Sequence, residues 1–165
     1  DGWHVAASVP NEAQWLQAVG VADLSHLVKL EVRPAPESVS GDGVTLYPIS
    51  KRRALVFCPA AARDGVLAQL EGRYVLDLSA GLAIMAIVGP EADTVLRRLT
   101  HLHHFPSGGE VAHIHNAHVL RCEGCYWLVF QQEYGHYLWD VVVDRASALG
   151  GGPVGLDALP QGVTP

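Results

Sequence analysis

The chain has 165 residues, of which 49% are hydrophobic and 17% charged, and a formal net charge of −6. Its length and apolar fraction suit one folded domain with its own core and exclude a disordered tail. The acidic balance excludes a nucleic-acid surface, which needs clustered Lys and Arg, and the longest apolar run, broken by Asp77 and Gly81, is short of the about 20 residues a membrane span requires.

In chain order, Asp1-Gly2-Trp3-His4 lacks a basic region before an apolar one, so no signal peptide is expected. Residues 11–19 are predicted as a helix capped by Asn11, with Trp15, Leu16 and Val19 on one face and Gly20 as its stop. A strand follows over residues 26–33. Residues 34–43, rich in Pro, Ser and Gly, form a loop. Residues 44–49 and 54–58 pair around Lys51-Arg52-Arg53, a solvated basic turn. Residues 60–70 form a helix with Val66, Leu67 and Leu70 inward.

Strands are predicted at 74–78 and 82–88, with Leu78 in the core. Pro90 and the acidic Glu91 and Asp93 then open a helix that Arg97 and Arg98 close, and Val95, Leu96 and Leu99 supply its apolar stripe. Residues 105–109 form a loop. Residues 111–121 and 126–131 form a hairpin turning at Cys122-Glu123-Gly124-Cys125. The longest helix covers 134–149, with Leu138, Val141, Val142 and Leu149 inward. Pro153 starts a last edge strand.

An internal echo organises these elements. Val21-Ala22-Asp23-Leu24-Ser25 and Val75-Leu76-Asp77-Leu78-Ser79 lie 54 residues apart, each ahead of a strand. Two copies are too few for a solenoid. The fold expected is therefore α+β, a duplicated unit of antiparallel strands with helices in a single compact domain, the first repeat covering about 19–72 and the second about 73–159. Equivalent positions in the two repeats argue that Ser25 and Ser79 serve the fold rather than nucleophilic chemistry.

Several residues resemble a known family. Gly20-Val21-Ala22-Asp23-Leu24-Ser25-His26 resembles the opening strand of the glycine-cleavage T-protein family, and Gly89-Pro90-Glu91-Ala92 its second-repeat step from strand to helix. Leu138-Trp139-Asp140 and the stretch from Gly152 to Leu159 resemble its late helix and strand. The resemblance implies a duplicated α+β fold embracing tetrahydrofolate. It extends to the compact gamma subunit of heterotetrameric sarcosine oxidase, within a superfamily that includes demethylating flavoenzymes.

Two departures matter. The family's catalytic-acid segment has no counterpart after Arg33; the nearby Asp42, between two glycines, reads as a turn former. The family's long R-x-G-Y-T-G-E motif is shortened to Arg121-Cys122-Glu123-Gly124-Cys125-Tyr126-Trp127. By this resemblance Arg121, Glu123, Tyr126 and Trp127 are the folate-binding candidates, and Glu123 would accept two parallel N–H donors from a pterin edge. A solvated turn carboxylate is the competing reading.

Seven of the nine His fall between His101 and His136. Cys122 and Cys125 with His113 and His115 have the ligand types zinc prefers, against the reading of ordinary turn cysteines; no metal is expected, and no catalytic residue is assigned. An odd count of three Cys fits a reducing cytoplasm. Two functions follow from the resemblance. The first is a non-catalytic T-protein-like subunit or pseudo-enzyme of a sarcosine-oxidase-type amine-demethylating complex, with protein partner subunits or a homo-oligomer. The second is a tetrahydrofolate-binding aminomethyltransferase-like domain of one-carbon metabolism.

Overall fold

The computed structural model describes residues 4–122 and 124–163. In chain order the elements are α1 (Glu12–Trp15), β1 (Gly20–Asp23), β2 (Val28–Arg33), β3 (Thr45–Ser50), β4 (Arg53–Cys58), α2 (Arg63–Gln69), β5 (Tyr74–Asp77) and β6 (Leu82–Val88). They continue as α3 (Ala92–Arg97), β7 (Ser107–Val111), β8 (Ile114–Cys122), β9 (Cys125–Gln131), α4 (Gly135–Ser147) and β10 (Gly152–Pro153). No helix among the described residues is long and apolar enough to cross a membrane.

The elements form two units, one containing residues up to 25 with those from 83 on, the other residues 26–82. The first unit holds a sheet in the order β10-β1-β6-β9-β8-β7. β1 runs antiparallel to β6 from Gly20↔Val88 to Asp23↔Met85, and parallel to β10. Over this sheet, Leu96 of α3 and Leu138, Val142 and Ala146 of α4 share a core with Val21, Met85, Ile87, Leu128 and Phe130. The four-residue spacing of the α4 contacts is one helical face. The helix ends where Gly150 takes φ 81° and the Gly151 N–H donates to the Ala146 carbonyl at 2.9 Å, a left-handed close that glycine adopts at no steric cost.

The second unit is an antiparallel sheet in the order β3-β4-β2-β5. α2 lays Val66 and Leu70 on Val28, Leu30, Val32, Val56 and Cys58. Each such side chain contributes about 1.5–3 kcal/mol on burial. Alternate residues of β2, Lys29 and Glu31, are also buried. Arg53, expected in a solvated turn, instead donates its Nε–H to Glu31 Oε2 at 2.7 Å.

The Asp-Leu-Ser echo marks where the chain passes between units. Ser25 N–H donates to Asp23 Oδ1 at 2.8 Å and Ser79 N–H to Asp77 Oδ1 at 2.9 Å, two equivalent Asx turns. In the first unit Leu24 N–H donates to the Ile84 carbonyl, and Ile84 N–H returns a bond to Ser25 Oγ at 3.2 Å. In the second, Leu78 N–H donates to the Lys29 carbonyl, and Lys29 N–H returns one to Ser79 Oγ at 3.0 Å. Both hydroxyls therefore hold a strand amide, as their equivalent positions suggested. Ser25→Ala and Ser79→Ala are each expected to cost about 1–3 kcal/mol in a denaturant melt, because each leaves a strand amide without its acceptor.

Three local expectations are corrected. Residues 105–109 are not all loop: Ser107, Gly108 and Gly109 pair with Val119, His118 and Ala117. A Cβ on Gly108 would lie 2.8 Å from the His118 ring, so glycine here permits a close strand approach rather than breaking the strand. Asn11 makes no side-chain cap and sits at φ 65°, and α1 ends at Trp15 because Gly20 belongs to β1. At that helix start, Glu12 Oε2 accepts the Val9 N–H at 3.0 Å. Leu78 is only partly buried, since it follows an edge strand.

Candidate functional site

β8 and β9 form a hairpin whose register sets Arg121 opposite Tyr126, Leu120 opposite Trp127, and Cys122 opposite Cys125. Side chains alternate across a strand, so Arg121 and Tyr126 share one face while Trp127 takes the other. Tyr126 is 8% exposed and its hydroxyl donates to Asp93 Oδ1 at 3.1 Å. Asp93 Oδ2 accepts the Arg97 Nε–H at 2.6 Å, one turn along α3. Phe105 meets the Tyr126 ring edge-on, centroids 5.4 Å apart. The bond from Arg97, followed by that from Tyr126 and the charge of Arg121, holds the Asp93 carboxyl below the usual carboxylate range. Burial, then the bond to Asp93, pushes the Tyr126 hydroxyl up.

Together these groups border a cavity of about 140 Å³, lined by Gly89, Pro90, Asp93, Arg121, Cys122 and Tyr126 among others. It offers an ionised carboxylate, a phenol that donates to it, and an exposed guanidinium. Tyr126→Phe is expected to cost about 1 kcal/mol in a melt, since it removes one hydrogen bond while the ring keeps its packing.

The remaining sequence candidates fall as follows. Glu123 lies outside the described residues. Trp127 is 4% exposed, and its indole N–H donates to the Val163 carbonyl at 2.9 Å. Cys122 and Cys125 are joined as a disulfide and Cys58 is a buried free cysteine, so the expectation of reduced turn thiols is corrected: directly opposite positions of the hairpin bring the sulfurs together. His113 sits in the β7–β8 turn at φ 67° rather than in a strand. His113 Nδ1 lies 3.3 Å and His115 Nδ1 3.7 Å from the Glu110 carboxylate oxygens. Among the described residues, no group of three or more His, Cys, Asp and Glu is placed to hold a metal ion.

Two clefts of the first unit went unread in the sequence, because each draws on distant elements. One of about 520 Å³ has Arg97, Arg98, His101, Glu110, Tyr137 and Arg145 at its walls. Another of about 190 Å³ gathers Asp23, Ser25, Gln132, His136 and Trp139. Asp93 was legible only as a helix-start acid; its role at Tyr126 depends on a contact across 33 residues.

No protein-family model and no curated protein matches the chain. Among solved structures it is similar to a chain of the heterotetrameric sarcosine oxidase from Corynebacterium sp. U-96, in complex with pyrrole 2-carboxylate. That match has a TM-score of 0.66 at 19% identity and covers 87% of this chain and 92% of the other. It is also similar to the glycine cleavage system aminomethyltransferase T from Bartonella henselae, with a TM-score of 0.71 at 15% identity over 95% of this chain. This chain spans 55% of the aminomethyltransferase's length. The likeness establishes a T-protein-like α+β fold.

Proposed function

We propose that this chain is a non-catalytic, T-protein-like subunit of a sarcosine-oxidase-type amine-demethylating complex. The observation that carries the reading is the extent of the match. Nearly all of one chain of a heterotetrameric oxidase, 92%, is covered, against 55% of the aminomethyltransferase. The hairpin supports it. Tyr126 is committed to Asp93 and Trp127 to the Val163 carbonyl, on opposite faces, so the two rings do not form one platform for a flat heterocycle. The loop after Arg33 also lacks the acid-bearing segment of the T-protein family.

One observation favours the second reading, a tetrahydrofolate-binding domain. The 190 Å³ cleft is lined by both a carboxylate, Asp23, and an indole, Trp139, the two groups a pterin needs for donor acceptance and stacking. Calorimetric titration of the purified chain with tetrahydrofolate separates the two. A subunit without folate chemistry gives no saturable heat up to about 1 mM ligand. Micromolar binding weakened by Asp23→Asn or Glu123→Ala would establish the folate domain instead.

A further inference from the structure

β5 is an edge strand of the second unit's sheet. Its ladder sets Tyr74 opposite Arg33 and Leu76 opposite Glu31, and continues to Leu78, whose N–H donates to the Lys29 carbonyl at 2.8 Å. Hydrogen-bonded positions alternate along an antiparallel pair. Tyr74 and Leu76 therefore turn their backbone groups toward β2, and Arg73, Val75 and Asp77 turn theirs outward. Among the described residues, Val75 and Asp77 find no backbone partner on that outer side, while the Arg73 N–H donates to the Leu70 carbonyl.

The side chains do not protect this edge. Tyr74 is 61% and Leu76 40% exposed, and both stand on one face. Edges that stay unpaired are often short or carry charges, Pro or a bulge. The opposite edge, β3, has Pro48 and a register shift between Pro48 and Ser50, whereas Tyr74-Val75-Leu76-Asp77 has neither.

We infer that this edge pairs with the same edge of a second copy of the chain, antiparallel about Val75. That register sets the opposite charges at the two ends of the segment against each other. Val75 faces Val75 and exchanges two backbone bonds with it, Tyr74 faces Leu76, and Arg73 faces Asp77 of the other copy. The outward Asp77 N–H meets the free Arg73 carbonyl at each end, adding two more bonds. Tyr74 and Leu76 occupy non-hydrogen-bonded sites of the new ladder, where cross-strand side chains approach most closely. Asp77 already accepts from Ser79 N–H and from Arg63 at 3.2 Å, and a carboxylate has lone pairs left for another donor. Arg73 spends one N–H on the Pro34 carbonyl at 3.0 Å and keeps its others. The pairing joins two four-stranded sheets into one and is independent of any larger assembly.

Sedimentation equilibrium of the whole chain at low salt, from low micromolar to several hundred micromolar, tests this. The expected result is a reversible monomer–dimer equilibrium. Arg73→Glu, which sets two carboxylates against each other at both ends of the ladder, is expected to weaken it by about tenfold or more. Leu76→Lys, an edge-protecting charge, is expected to weaken it similarly, with both variants keeping the wild-type circular dichroism. A monomer across the whole range, or a dimer that neither variant weakens, overturns the inference.

Discussion

Replacing Arg33 and Arg53 together by Ala is expected to destabilise the chain by about 3–5 kcal/mol at pH 7. Glu31 is 3% exposed in the interior strand β2, and among the described residues its carboxylate is held by these two guanidinium groups. Arg33 Nε–H donates to Oε1 and Arg53 Nε–H to Oε2, each at 2.7 Å. Burial opposes ionisation of Glu31, and the two arginines outweigh it, holding the carboxyl below its ordinary value of 4.5. A folded-state pKa below the unfolded one gives stability that is present above about pH 4.5 and lost as pH falls through the lower folded value.

Without its partners the same carboxyl is dominated by burial, which reverses the sign: the double variant should gain stability relative to wild type as pH falls. Adding Glu31→Leu to the double variant should recover most of the loss, since nothing charged is then left inside. Urea melts at pH 7 and pH 4 measure all three effects. A loss below about 1 kcal/mol for the double variant would mean that water reaches Glu31.

The second large effect is Leu96→Ala, expected to cost about 2–5 kcal/mol. Leu96 is 1% exposed on α3, within the core that Phe130, Leu138 and Val142 share. Leu78→Ala, although the sequence pattern gives it the same standing, should cost only about 1 kcal/mol, because its side chain is already partly in water. Denaturant midpoints of the two variants compare them directly. Equal losses would contradict the burial difference between an α3 core position and one beyond an edge strand.

What could be read in advance follows the range of the interactions. The α4 stripe and the β3–β4 and β8–β9 hairpins are fixed by residues close in sequence, and each is found. The membership of the two sheets is carried by no local pattern. β1 pairs into the sheet of β6–β10 although β2 to β5 follow it in the chain, and β5 pairs with β2 although β6 follows it. Those placements rest on pairings such as Gly20↔Val88 and Arg33↔Tyr74, which periodicity does not encode.

The candidate site divides the same way. The opposition of Arg121 to Tyr126 and of Cys122 to Cys125 follows from the local register of adjoining strands. The capture of Tyr126 by Asp93 does not, since α3 must first dock. The strand Ser107–Val111 was hidden by its glycines, whose value at Gly108 is the room they leave for His118.

The role proposed for this T-protein-like fold, as part of a larger amine-demethylating assembly, can be tested directly. The most direct measurement is native purification of the chain from the cells that make it, reading apparent mass, flavin absorbance and sarcosine-dependent flavin reduction on the same fraction. The account predicts that the chain elutes within a larger complex that carries flavin and is reduced by sarcosine. A chain that elutes without other subunits, carries no flavin and binds tetrahydrofolate saturably would contradict it.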